Sequence, residues 1–148
     1  MSMTVTFFGH RECPADIMER LLKTLQNLIE NKNADIFYVG NNGSFDSLVK
    51  AALKSLKLDY PHIRYSVVLA YLPTEKGSYP HTDFSDTLFP YGLETTPKRF
   101  AISKRNLWMI EQADTVITYV CHNSGGAAKF KLISEKKGKS VINLGTLK

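Results

Sequence analysis

Several short stretches of this chain carry residue types suited to holding an anion. The stretch His122-Asn123-Ser124-Gly125-Gly126-Ala127-Ala128 places two glycines between an apolar run, residues 115–120, and an Ala/Lys/Leu segment of helical character. That order predicts a strand-to-helix turn. Glycine lets the backbone approach a phosphate, and the unpaired N–H groups and positive dipole end of the following helix favour negative charge. Gly9-His10-Arg11 follows another apolar run, and Gly40-Asn41-Asn42-Gly43-Ser44-Phe45-Asp46 follows a third. Arg11 suits bidentate phosphate recognition, the glycine turns supply N–H donors, and Asp46 suits acceptance from ribose hydroxyls. Each has a plainer reading: Arg11 pairs with Glu12 or caps a helix, Asp46 favours its helix N-terminus, and His10 is a satisfied turn histidine.

These stretches need strands and helices to bring them together. Thr4-Val5-Thr6-Phe7-Phe8 reads as a central strand buried on both faces. Pro14 opens the first helix, with Asp16 and Glu19 near its N-terminus and Ile17, Leu21, Leu25, Leu28 and Ile29 at helical spacing, ending near residues 31–33. A second strand covers 35–39. Ser44 is placed as N-cap of a second helix whose buried face is Phe45, Leu48, Val49, Ala52 and Leu56. A third strand covers 64–71. Residues 72–96 show no period and hold Pro73, Pro80 and Pro90 among Tyr79, Phe84, Phe89 and Tyr91, the pattern of a long lid or binding loop whose aromatics suit base stacking. Thr96 and Pro97 are placed as N-cap and first position of a third helix ending near Gln112. A fourth strand, a helix over 127–137, a stop at Gly138 and a short strand over 140–143 complete the chain.

Strand and helix alternate throughout, which predicts a single α/β domain over 1–148. The expected fold is Rossmann-like and doubly wound, with a mainly parallel five-stranded sheet in the order 3-2-1-4-5 and helices on both faces. Ligands of such sheets bind outside the carboxyl ends of the strands, where strand order reverses. The turns at Gly9, Gly40 and Gly125 and the 72–96 loop all reach that end. On the third helix, Lys104 and Arg105 fall at spacings close to apolar positions, so each either snorkels or reaches an anion in the crevice.

Composition narrows the class further. The chain has 148 residues, 43% of them hydrophobic and 22% charged, an ordinary balance for one globular core. No apolar run approaches the roughly 20 residues of a membrane span, and the first residues lack signal-peptide character, so a cytoplasmic location is expected. Cys13 and Cys121 form no disulfide framework and have no partner at zinc-ligand spacing, so no metal site is expected. Net charge is +5, with six lysines against the acid Glu135 between residues 129 and 148. A solvated helix face accounts for these lysines; nucleic-acid association is the less favoured reading.

Three runs carry a resemblance: Lys104-Arg105-Asn106-Leu107-Trp108-Met109, Ala113-Asp114-Thr115-Val116-Ile117, and Ser124-Gly125-Gly126. Together they resemble the core of the SLOG superfamily, which groups DNA-processing proteins of the Smf/DprA type with cytokinin-activating LOG enzymes. The opening strand with Gly9-His10-Arg11 and the Gly40–Asp46 turn resemble its YpsA-like branch of small bacterial proteins. The resemblance implies a Rossmann-like fold that binds a nucleotide or a nucleotide-derived ligand, with no further cofactor required and a homodimer compatible. LOG enzymes cleave an N-glycosidic bond with an Arg-Lys-x-x-Met helix and a Pro-Gly-Gly-x-Gly-Thr-x-Glu-Glu turn. Arg105 and Met109 match that helix and Asn106 replaces its lysine. Ser124, Gly125 and Gly126 follow Pro-Gly-Gly imperfectly, Ala128 and Lys129 stand in place of Gly-Thr, and Lys131 and Leu132 occupy the acidic positions. An oxocarbenium-like centre is stabilised by a carboxylate, and lysine opposes it. The binding half of the motif is therefore present and the catalytic acid is missing. Glycosidic or phosphoester cleavage would need Arg105 together with a carboxylate from elsewhere: Glu12, Asp46 or Glu94. The expected binding set is Gly9, His10, Arg11, Gly40, Gly43, Ser44, Asp46, Lys104, Arg105, Ser124, Gly125, Gly126 and Ala127.

Overall fold

A computed structural model describes residues 2–70 and 87–146. Strand β1 (Met3–Gly9) lies at the centre because Val5, Thr6, Phe7 and Phe8 are all buried, a run that only a strand covered on both faces accommodates. It pairs in parallel with β2 (Ala34–Val39) on one side and β5 (Thr115–Tyr119) on the other. Beyond β2 come β3 (Arg64–Val68) and β4 (Thr87–Leu88), and beyond β5 comes β6 (Ser140–Asn143). The α/β fold with a parallel, Rossmann-like sheet is as expected, but the sheet has six strands in the order β4-β3-β2-β1-β5-β6, which corrects the five-stranded 3-2-1-4-5 arrangement. The added strand is a two-residue piece of the stretch expected to be loop. Its Thr87 and Leu88 complete the edge of β3, where Val67 and Val68 would otherwise leave ladder groups unpaired.

Alternation along β1 sends its side chains to two cores. Val5 and Phe7 pack under α1 (Ile17–Lys32) and α2 (Ser44–Asp59) with Leu21, Leu25, Phe37, Phe45 and Leu53. Phe8 faces the other side with Met109 and Ile110 of α3 (Lys98–Gln112) and Phe130 of α4 (Gly126–Lys136). Helices therefore cover both faces of the sheet.

Helix starts differ from expectation in a consistent way. Helix α1 begins at Ile17 after a turn in which Ile17 N–H donates to the Pro14 carbonyl, so Pro14 precedes the helix. Ser44 is the first residue of α2 and Gly43 occupies the cap position. Pro97 holds the cap of α3, while the Thr96 hydroxyl donates to the Gly92 carbonyl, 3.2 Å, inside a preceding 3-10 turn, Leu93–Thr95. That turn and β4 give the end of the 72–96 span regular structure. Tyr79 and Phe84 lie outside the described residues. No helix among the described residues is long and apolar enough to cross a membrane.

Candidate functional site

A cavity of about 620 Å³ opens at the carboxyl ends of β1 and β5. From the expected binding set it gathers Gly9, His10, Arg11, Gly40, Asp46, Arg105, Gly125, Gly126 and Ala127, and Glu12 lines it as well. Gly43 and Ser44 line a shallower neighbouring depression that also touches Arg11. Lys104 is exposed and Ser124 is exposed beside the turn, and neither lines the cavity. Glu94 is also outside it, since its carboxylate accepts from Gly92 N–H at 3.1 Å within its own turn.

Two helix N-termini meet this end of the sheet with the same cap geometry and opposite fates. Gly43 before α2 has φ 93°, ψ 178°, and Gly125 before α4 has φ 92°, ψ 175°, a region of backbone space open essentially to glycine alone. Over α2 the chain is sealed: Ser44 N–H donates to the Arg11 carbonyl at 2.7 Å, and a Cβ on Gly43 would lie 2.9 Å from the Arg11 Cα. Over α4 it is open, because a Cβ built on Gly125 or Gly126 meets nothing within 4 Å. The first amides of a helix have no intrahelical partner, so those of α4 face the cavity with the positive end of the dipole.

The wall on the β2 side is a polar cluster around Arg105, which is only 2% exposed. Its Nε donates to the Asn106 side-chain oxygen at 2.8 Å, Nη2 to the Asn42 side-chain oxygen at 2.9 Å, and Nη1 to the Val68 carbonyl at 3.1 Å. Asp46 is buried beside it and accepts the Asn42 N–H at 2.9 Å. Burial pushes the Asp46 carboxyl up to about 6 against the lowering effects of that N–H, Arg105 and Lys50. Both groups lean on Gly40, where a Cβ would sit 2.9 Å from the Asp46 carboxylate and 3.2 Å from the guanidinium. Arg105 thus spends these donors inside the protein rather than extending as a free phosphate grip.

At the rim, His10 and His122 stack, and His10 Nε2 accepts the Cys121 N–H at 2.9 Å. Asn143 holds that turn in place, its side chain bonding both the N–H and the carbonyl of Val120 at 2.9 and 3.0 Å. An apolar wall of Phe8, Ile102, Met109 and Phe130 completes the cavity. Sequence reasoning did not select Asn42, Asn106, Ile102, Met109, Tyr119, Cys121 or His122 for the site. Asn106 left one signal, a polar residue at the inward position beside Arg105; the Cys121-His122 pair left another at a strand end. Among the described residues no group of three metal-ligating side chains assembles. Neither Lys131, which pairs with Glu135 at 3.2 Å, nor Leu132 lines the cavity.

No protein-family model matches the chain, and no curated protein matches it. Among solved structures its fold is similar to that of DNA processing protein A (DprA) from Streptococcus pneumoniae, with a TM-score of 0.68 and 17% identity. The alignment covers 95% of this chain and 50% of that one, so the chain spans about half the length of that structure. A parallel, doubly wound Rossmann-like α/β fold with its crevice at the strand ends defines the structural class. The DprA likeness agrees with the fold that the SLOG resemblance implies.

Proposed function

We propose that this protein binds a nucleotide or nucleotide-derived ligand in the β1/β5 cavity, as a sensor or binding module of the SLOG type. The YpsA-like branch is its proposed place in that superfamily. The observation that carries the reading is the contrast between the two glycine-capped helices: α2 is closed by Arg11, while α4 presents uncovered amides to a cavity. An anion is the natural occupant of such a helix start, and the apolar wall beside it suits a flat ring. Calorimetric titration with nucleoside phosphates, cyclic nucleotides and ADP-ribose tests this reading. Binding by at least one of them, lost in Gly126→Asp, is expected; no binding by any, or equal binding by the variant, removes it.

A second reading, hydrolysis of an N-glycosidic or phosphoester bond, draws on the placement of Glu12 and Asp46 in the same cavity and on the raised Asp46 carboxyl. Incubation with nucleoside monophosphates and analysis of products separates the two, since released base or phosphate indicates catalysis and intact ligand indicates binding. The name of the DprA structure brings a third reading, association with DNA through the lysines of α4 and beyond. Its mark is an affinity that falls steeply with added salt.

A further inference from the structure

Arg105 fixes the orientation of two amides. A guanidinium has donors only, so the side-chain atoms of Asn42 and Asn106 that face it are necessarily the carbonyl oxygens. Each NH₂ group is therefore turned away from Arg105. No described residue accepts from either one, and no fully buried side-chain nitrogen or oxygen among the described residues lacks a partner, so each NH₂ nitrogen keeps some exposure. Asn42 and Asn106 both line the cavity, Asn106 at 8% exposure. The result is a wall that offers N–H donors at one place.

We infer that Asn42 and Asn106 form an oxo-selecting subsite, which takes a carbonyl-bearing edge of a nucleobase and disfavours an amino-bearing one, with Arg105 as the positioning residue. The inference rests on the nucleotide reading above and adds the base class. Spacing supports it. Asn42 follows β2 and the open helix follows β5, with β1 between them, and strands two spacings apart lie about 10 Å from one another. A nucleoside monophosphate covers about that span from phosphorus to the far edge of its base. The intervening wall of Phe8 and Met109 is apolar, as a ring face requires. An exocyclic amino group at the amides would set donor against donor, whereas a carbonyl oxygen accepts from both.

The test compares inosine and adenosine monophosphates, which differ at the six position of the purine. Calorimetry is expected to show the inosine nucleotide bound about tenfold or more tightly. Asn106→Asp keeps an oxygen toward Arg105 and replaces the donor by an acceptor, so the preference should reverse toward the adenosine nucleotide. Asn42→Asp is the second variant should the first not fold. Arg105→Met releases both amides and should bring the ratio of the two affinities toward one, whatever it does to their absolute strength. A merely structural arginine would weaken both ligands alike and leave their ratio unchanged. Equal affinity of the wild-type protein for the two nucleotides overturns the oxo preference and leaves nucleotide binding standing. Absence of binding by both, together with the whole panel, overturns both inferences.

Discussion

The imidazoles of His10 and His122 stack with centroids 4.0 Å apart and planes 10° from parallel. Because His10 Nε2 accepts the Cys121 N–H, the neutral ring carries its proton on Nδ1, and a second proton would set Nε2–H against that amide. Burial first, and the neighbouring His122 second, hold the His10 pKa below its ordinary value of 6.5. In an NMR titration His10 is expected to titrate below 6.5, and His122→Ala to raise its midpoint only part of the way, since burial is the larger cause. The unfolded chain binds the proton more readily, so this group's stabilising contribution is full above pH 6.5 and is lost as pH falls through the folded midpoint. His10→Asn is expected to flatten that part of the stability profile. A His10 midpoint above 6.5 would contradict the geometry.

Asp46 works in the opposite direction. Its folded pKa of about 6 exceeds the ordinary 3.8 because the carboxylate is buried. Its contribution is therefore fully present below pH 3.8 and is lost as pH rises through 6. The two values imply a loss on the order of 3 kcal/mol across that window. Asp46→Asn retains an oxygen for the Asn42 N–H and removes the titration. Urea midpoints measured from pH 4 to 7 should fall for the wild-type protein relative to the variant. Parallel curves for the two proteins would show that folding leaves the Asp46 pKa unshifted. Because His10 and Asp46 oppose one another over part of this range, each is read from its own variant rather than from the wild-type curve.

The central strand could be read from composition because a run of β-branched and aromatic residues has few ways to be buried other than between two helix layers. The same held for α1, whose buried Ile17, Leu21, Leu25, Leu28 and Ile29 repeat at helical spacing. Strand β4 could not, since two residues carry no period and their pairing depends on the free edge of β3. Turn glycines were legible as places where backbone approaches something. What the sequence lacked was whether that something is protein, as over Gly43, or open cavity, as over Gly125. The Arg105 cluster was the least legible part. Its partners Asn42 and Val68 lie 63 and 37 residues away, and no local pattern marks an arginine that will be buried with two amides.

Gly9 ends β1 against the buried ring of Phe45, so close that a Cβ there would fall 2.2 Å from the Phe45 Cγ. Gly9→Ala must displace a ring that is itself packed within the core under α1 and α2. The expected cost is about 1–3 kcal/mol, as for other overpacked cores. Phe45→Leu loses packing on its own but makes room for the added methyl. The double variant should therefore be more stable than the sum of the two single losses allows, a coupling that a double-mutant cycle in urea measures. Additive losses would mean that the chain relieves the contact by moving β1 instead.

Gly125 and Gly126 are adjacent and should respond to substitution in different ways. Gly125 has φ 92°, so Gly125→Ala strains the backbone although the methyl would meet nothing within 4 Å. The cost is expected at about 1–3 kcal/mol, seen as a lower thermal midpoint. Gly126 has neither a positive φ nor a neighbour within 4 Å. Gly126→Asp places a carboxylate in the first turn of α4, where the helix dipole favours it, so stability should hold or rise by a few tenths of a kcal/mol. The same carboxylate occupies the position proposed for the phosphate and repels it. A Gly126→Asp protein that is fully folded and fails to bind nucleotide therefore separates a glycine kept for a ligand from one kept for the fold, which no loss of stability at Gly125 can do.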